Sequence, residues 1–202
     1  MTFRLIILMA LSLLWSDKSF SNEIQIFGDS IFATRNKGVR NELQKLTNTH
    51  IPDHSQTGKW VWEIKKQYLQ AKKDGLRTVI LNGGGNDMFG SDCRSVSGRC
   101  KEALKNAVAN LKELFDIIAG EGRDRIIFLG GHYTMGWNGG YENAVDLCYE
   151  HVIPVCENAK IRCTLIDLRE QFKGHSDWLE WDGIHPNDQG VKKISERIFE
   201  QL

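Results

Sequence analysis

The sequence predicts an α/β fold: a single three-layer domain with a mostly parallel sheet and helices on both faces. Three observations carry that expectation. Short apolar runs of strand length alternate with longer segments of helical periodicity along the chain. Several of the apolar runs lead straight into Gly-, Asp- or Asn-rich turns. No internal repeat, low-complexity tract or long Pro/Ser linker divides the 202 residues, a length that suits one domain with a substantial core.

The elements follow in order. Ile24–Phe27 reads as a short strand ending in Gly28-Asp29-Ser30. Asn36–Leu46 can form a helix, and Thr49–His54 reads as a second, edge strand weakened by Pro52. Trp60–Lys73 is helical, with Trp60, Ile64 and Tyr68 recurring every fourth residue before Gly75 ends it. Thr78–Leu81 is a buried strand entering Asn82-Gly83-Gly84-Gly85-Asn86. Lys101–Ala119 is amphipathic, with Leu104, Val108, Leu111 and Phe115 on one face. Arg125–Leu129 is a strand. Glu142–Ala159 is mostly helical with a kink or interruption expected at Pro154, and Ile161–Asp167 is the last strand. Gln189–Leu202 closes the chain as a helix capped by Asn187 or Asp188.

Composition narrows the partners. Lys+Arg and Asp+Glu both total 26, so nothing points to nucleic acid or an anionic membrane. The first residues read as an export signal. Arg4 supplies a positive charge, Leu5–Trp15 is almost wholly apolar, and Ser19 and Ser21 place small residues where a signal peptidase reads. Cleavage is expected before Asn22, leaving residues 22–202 as the mature domain in the periplasm or outside the cell. The apolar run is shorter than the roughly 20 residues needed to span a bilayer, so no stable membrane anchor is expected.

Export changes the reading of the five cysteines. Cys93 and Cys100 flank a polar Ser/Gly-rich stretch and are expected to pair. Among Cys148, Cys156 and Cys163 one must be left over. Cys148 and Cys156 share a helix, about 12 Å apart by helical rise and too far to bond. Cys156 with Cys163, across a helix-to-strand turn, is the better pair. No Cys-x-x-Cys spacing suggests a zinc or disulfide-exchange site.

In parallel sheets, ligands bind beyond the carboxyl ends of the strands. Ser30, Asn86 and His132 all follow predicted strands there. Far along the chain stands Asp182-Gly183-Ile184-His185-Pro186. A serine hydroxyl is a weak nucleophile until a base takes its proton, and an acidic group orients that base. An imidazole exchanges protons near neutral pH and suits the role. Taken singly, each feature has a plainer reading: Ser30 as a helix cap, Gly58 and Asn86 as turn residues, Asp182 and His185 as a solvated loop. A metal site of Asp182, His185 and Asp188 lacks a supporting ligand cluster. There is no Gly-x-Ser-x-Gly elbow, and Gly83–Gly90 matches a phosphate loop in composition only.

Four blocks in this order, Gly28-Asp29-Ser30, Gly58, Gly84-Gly85-Asn86-Asp87 and Asp182-x-x-His185, resemble the SGNH (GDSL-type) hydrolases. The resemblance covers nearly all of the chain after the first two dozen residues. It implies a five-stranded, flavodoxin-like sheet of order 2-1-3-4-5. It implies Ser30 as nucleophile, His185 as general base and Asp182 as its orienting acid. It also implies an oxyanion hole from the Ser30 N–H, the Gly58 N–H and the Asn86 side chain, with no cofactor or metal. Asp29 and Asp87 read as structural partners of their turns. His132, Tyr133, Trp137, Trp178 and Trp181 fall in or near the rim loops and are candidates for a substrate pocket. Gly130-Gly131-His132-Tyr133 departs from the proline-containing segment often found there in the family. The expected partner is a small-molecule, lipid or acylated-glycan ester. The rival reading is a non-catalytic glycan- or lipid-binding module using the same rim. Acyl chain length and oligomeric state stay open.

Overall fold

A computed structural model describes residues 23–202 of the chain. The expected leader, residues 1–21, lies outside them. Four strands, β1 (Ile24–Phe27), β2 (Thr78–Asn82), β3 (Arg125–Leu129) and β4 (Arg162–Ile166), form a wholly parallel sheet in the order β1-β2-β3-β4. Outside β1 runs the segment expected as an edge strand. It makes one parallel bridge, Asp53 to Ile26, and backbone bonds from Ile26 N to Pro52 O (2.9 Å), His54 N to Ile26 O (2.9 Å) and Gln56 N to Gly28 O (3.1 Å). The sheet thus has four strands rather than five, with this segment in the second-strand place of the 2-1-3-4-5 order. Pro52 donates no backbone hydrogen bond, and the Asp53 carboxylate turns the chain by accepting from Ser55 N (2.8 Å) and Ser55 Oγ (2.6 Å).

Helices α1 (Ser30–Thr47), α2 (Val61–Gln70), α3 (Gly85–Gly90), α4 (Gly98–Gly120), α5 (Glu142–Glu157), α6 (Leu168–Phe172) and α7 (Asp188–Phe199) complete the domain. Alternation along the strands divides the core in two. Ile24, Ile26, Ile80, Ile127 and Leu129 join Phe32, Val39 and Leu43 of α1 and Val191, Ile194 and Ile198 of α7. Phe27, Val79, Leu81, Ile126 and Phe128 face the other way, onto Ile64 and Tyr68 of α2 and Leu111, Leu114 and Phe115 of α4. Both faces of the sheet are covered, so its strands read as mostly apolar runs rather than as strict apolar–polar alternation.

Three local features differ from expectation. Helix α1 begins at Ser30 and breaks at residues 34–37, where Arg35, Asn36 and Lys37 are left-handed (φ 51°, 51° and 62°). Such residues cost roughly 1–2 kcal/mol each, so tertiary contacts must hold them. Helix α5 runs through Pro154 without ending. The short helices α3 and α6 are too brief for periodicity to reveal. Cysteine pairs join Cys93 to Cys100 and Cys156 to Cys163, and Cys148 is free. No helix among the described residues is long and apolar enough to cross a membrane.

Candidate active site

Ser30 is the first residue of α1, separated from β1 only by Gly28 and Asp29. Asp29 caps the helix by accepting from Ile31 N at 3.0 Å. His185 lies 155 positions on, in the loop before α7, and its Nε2 is 2.9 Å from Ser30 Oγ. Its Nδ1 is 2.6 Å from Asp182 Oδ2. An ionised carboxylate only accepts, so Nδ1 carries the proton, and Nε2 is left to accept from the serine hydroxyl. The other Asp182 oxygen accepts from the backbone N–H groups of Ile184 (2.9 Å) and His185 (3.0 Å). Burial raises the Asp182 carboxyl, but the His185 and backbone hydrogen bonds outweigh it and hold the group below its usual range.

The loop is braced from two sides. Asn138 Nδ2 donates to Asp182 O (3.0 Å), and Met135 N donates to Gly183 O (2.9 Å). Gly183 has φ +67°, and a Cβ there would come within 2.0 Å of Met135 O, so only glycine fits. From the opposite side, Arg35 reaches Glu180 (3.2 Å) and Asp188 (2.7 Å). Lys37, in the same left-handed break of α1, pairs with Asp53 at 3.3 Å. Sequence reasoning missed Arg35 and Asn138, because neither belongs to a local motif.

Beneath Ser30, Asp29 is the hub. Asn82 Nδ2 donates to Asp29 Oδ1 (2.6 Å), while Asp29 N donates to Asn82 Oδ1 (3.0 Å). A Cβ at Gly28 would lie 1.7 Å from Asn82 Oδ1, so glycine there admits the asparagine. Burial raises the Asp29 carboxyl above its ordinary value despite these bonds. Asn82 was another omission. Its signal was a polar residue ending the apolar run of β2.

Asn86, in the first turn of α3, donates through Nδ2 to Lys59 O (3.0 Å) and more weakly to Asp29 Oδ2 (3.4 Å). Gly58 sits in an exposed turn with φ +77°, one residue before that Lys59. Asp87 accepts from Val61 N at 3.1 Å and so ties α3 to the start of α2, and burial pushes its carboxyl up to about 6.

A cavity of about 400 Å³ opens beside Ser30, Asn86 and His185. His132 lines it, buried and stacked on Phe172 (4.8 Å), with Nδ1–H donating to Tyr133 O (2.8 Å). Burial lowers the tendency of this imidazole to take a second proton. The other aromatic candidates stand elsewhere. Tyr133 turns its hydroxyl to Asp146 (2.8 Å), and Trp178 packs in the core against Phe172. Trp137 and Trp181 are each 91% exposed and do not line this cavity. Aromatic identity near a rim loop does not say which way a side chain turns. Among the described residues, no group of three or more His, Cys, Asp or Glu side chains could hold a metal ion.

Residues 24–198 match the family model described as GDSL-like Lipase/Acylhydrolase. The chain belongs to this family. It is a GDSL-type serine ester hydrolase. No curated protein matches it by sequence. Among solved structures, the fold is similar to that of an acetyl xylan esterase from Geobacillus stearothermophilus (17% identity, TM-score 0.68, covering 88% of this chain and 92% of that one). Further structures of that esterase are described as catalytic mutants, one altered at a serine and one at a histidine. Another acetyl xylan esterase aligns at 14% identity and TM-score 0.71, over 89% of this chain and 98% of the other. An alpha/beta hydrolase enzyme from the metagenome of Lake Arreo, Spain, aligns at 20% identity and TM-score 0.64, over 88% and 93%.

Proposed function

We propose that this GDSL-type hydrolase is an exported serine esterase that works through an acyl-serine intermediate. The observation that carries the reading is the unbroken relay from Ser30 Oγ through His185 to Asp182. Ser30 Oγ attacks the ester carbonyl as its proton passes to His185 Nε2. The carbonyl oxygen takes up negative charge, facing the Ser30 N–H, the Gly58 N–H and the Asn86 amide. The long 3.4 Å contact to Asp29 makes the second Asn86 N–H the freer one to turn toward that charge. His185 then protonates the departing alcohol as the C–O bond breaks. Water, deprotonated by the same imidazole, attacks the acyl-serine, and the acid leaves as Ser30 recovers its proton. Asp182 keeps the imidazole in the tautomer both halves need. The catalytic mutants of the Geobacillus esterase, at a serine and a histidine, support this assignment. Neither half of the cycle calls for a cofactor. The partner is a small-molecule, lipid or acylated-glycan ester. Two disulfides favour an oxidising compartment, in keeping with export.

The test is covalent labelling. A fluorophosphonate should modify the wild-type protein at Ser30, and Ser30→Ala should escape it and lose hydrolysis of a short-chain aryl ester by at least about a thousandfold while keeping its fold. A folded Ser30→Ala protein with full activity refutes the mechanism.

A further inference from the structure

We propose that the cavity beside Ser30 is an acyl-chain pocket that favours neutral acyl groups of about four to ten carbons over acetyl. This rests on the serine-esterase reading and names the substrate class for that site.

The walls carry the argument. At the mouth stand Ser30, Asn86 and His185. Beyond them, beside the polar side chains of Asn82, His132, Thr134 and Asn138, the lining is mainly apolar: Met88 and Phe89 from α3, Leu129 at the end of β3, Val145 and Tyr149 from α5, and Leu168 at the start of α6. The space therefore extends from the nucleophile, past the ends of β2 and β3, toward α5. All six side chains but Phe89 are buried. An apolar chain gains by leaving water for such a space, whereas a sugar hydroxyl would lose its hydrogen bonds there.

The polar groups near the lining are already engaged or neutral. Tyr149 Oη donates to Gly131 O (2.8 Å) and accepts from Leu168 N (3.1 Å), so its ring serves as an apolar surface. Burial pushes the Cys148 thiol up to about 12, which keeps it uncharged. Asp29 spends its carboxylate on Ile31 N, Asn82 and Asn86. No Lys or Arg lines the cavity to receive an acidic acyl group. Size sets the upper limit. A methylene needs about the 30 Å³ that a water molecule takes in the liquid. The cavity of about 400 Å³ must also admit the ester carbonyl at its mouth, which leaves room for roughly ten carbons.

The experiment is a series of aryl esters of one phenol, from acetyl through butyryl, hexanoyl and octanoyl to hexadecanoyl. Each methylene buried should raise kcat/KM by up to about fourfold. The expected result is a rise of at least about tenfold from acetyl to hexanoyl and a fall at hexadecanoyl. Val145→Trp, which fills the cavity from α5, should lower the hexanoyl-to-acetyl ratio by about tenfold, and Cys148→Phe serves if that variant fails to fold. Acetyl as the best substrate of an enzyme that a fluorophosphonate labels overturns the pocket and leaves the serine mechanism standing. So does a ratio that neither folded variant moves. Hydrolysis of no ester, with no labelling of Ser30, overturns both.

Discussion

Asp29 and Asn82 hold each other through two hydrogen bonds in opposite directions, side chain to side chain at 2.6 Å and backbone to side chain at 3.0 Å. Through this pair the end of β2 fixes the turn after β1, the cap of α1 and hence the place of Ser30. Asn82→Ala leaves a buried carboxylate short of a donor and a buried N–H short of an acceptor. A loss of about 2 kcal/mol of stability is expected, read by denaturant unfolding. An unchanged midpoint would show that the pair carries no weight.

Asn86→Ala removes the proposed side-chain donor to the oxyanion. Its expected effect is a fall of about 10²–10³ in kcat, with KM little altered, because the donor acts on charge that exists only in the transition state. Steady-state kinetics on a single aryl ester distinguish this from a binding defect, which would appear in KM.

Asp182→Asn tests the orientation of the imidazole. The asparagine oxygen can keep the bonds from Ile184 N and His185 N, which turns its NH₂ toward His185 Nδ1. That favours the tautomer with the proton on Nε2, where it can no longer accept from Ser30. A loss of about 10³–10⁴ in kcat is expected in a protein of normal stability. Activity within tenfold of wild type would contradict the tautomer argument.

Asp87 links stability to pH. Burial raises its carboxyl from an ordinary 3.8 to about 6. Its folded pKa lies above the unfolded one, so its contribution to stability is complete below about pH 4 and is lost as pH rises through about 6. Asp87→Asn keeps an acceptor for Val61 N without the charge. The stability difference between variant and wild type should therefore shift by up to about 3 kcal/mol in the variant's favour between pH 4 and pH 7. Urea unfolding at several pH values measures it, and a constant difference would refute it.

The sequence by itself determined the layered α/β architecture, because both faces of the sheet are buried and strand and helix periods differ sharply. It also marked Ser30, Asn86, Asp182 and His185, because their blocks are local strings of distinct residue types. The disulfide partners were legible too, from helical rise and chain reach. Tertiary structure alone decided the rest. Whether the segment after α1 became a strand turned on Pro52 and on the Asp53 carboxylate, which accepts from Ser55 N and Ser55 Oγ and turns the chain. The strained break at Arg35–Lys37 brings Arg35 to Glu180 and Asp188, residues that no window of local sequence contains. Asn82 took its place under Asp29 only when β1 and β2 came into register. The aromatic residues near the rim separated for the same reason. His132 turned inward and Trp137 and Trp181 outward, since side-chain direction is set by packing against distant elements and not by residue type.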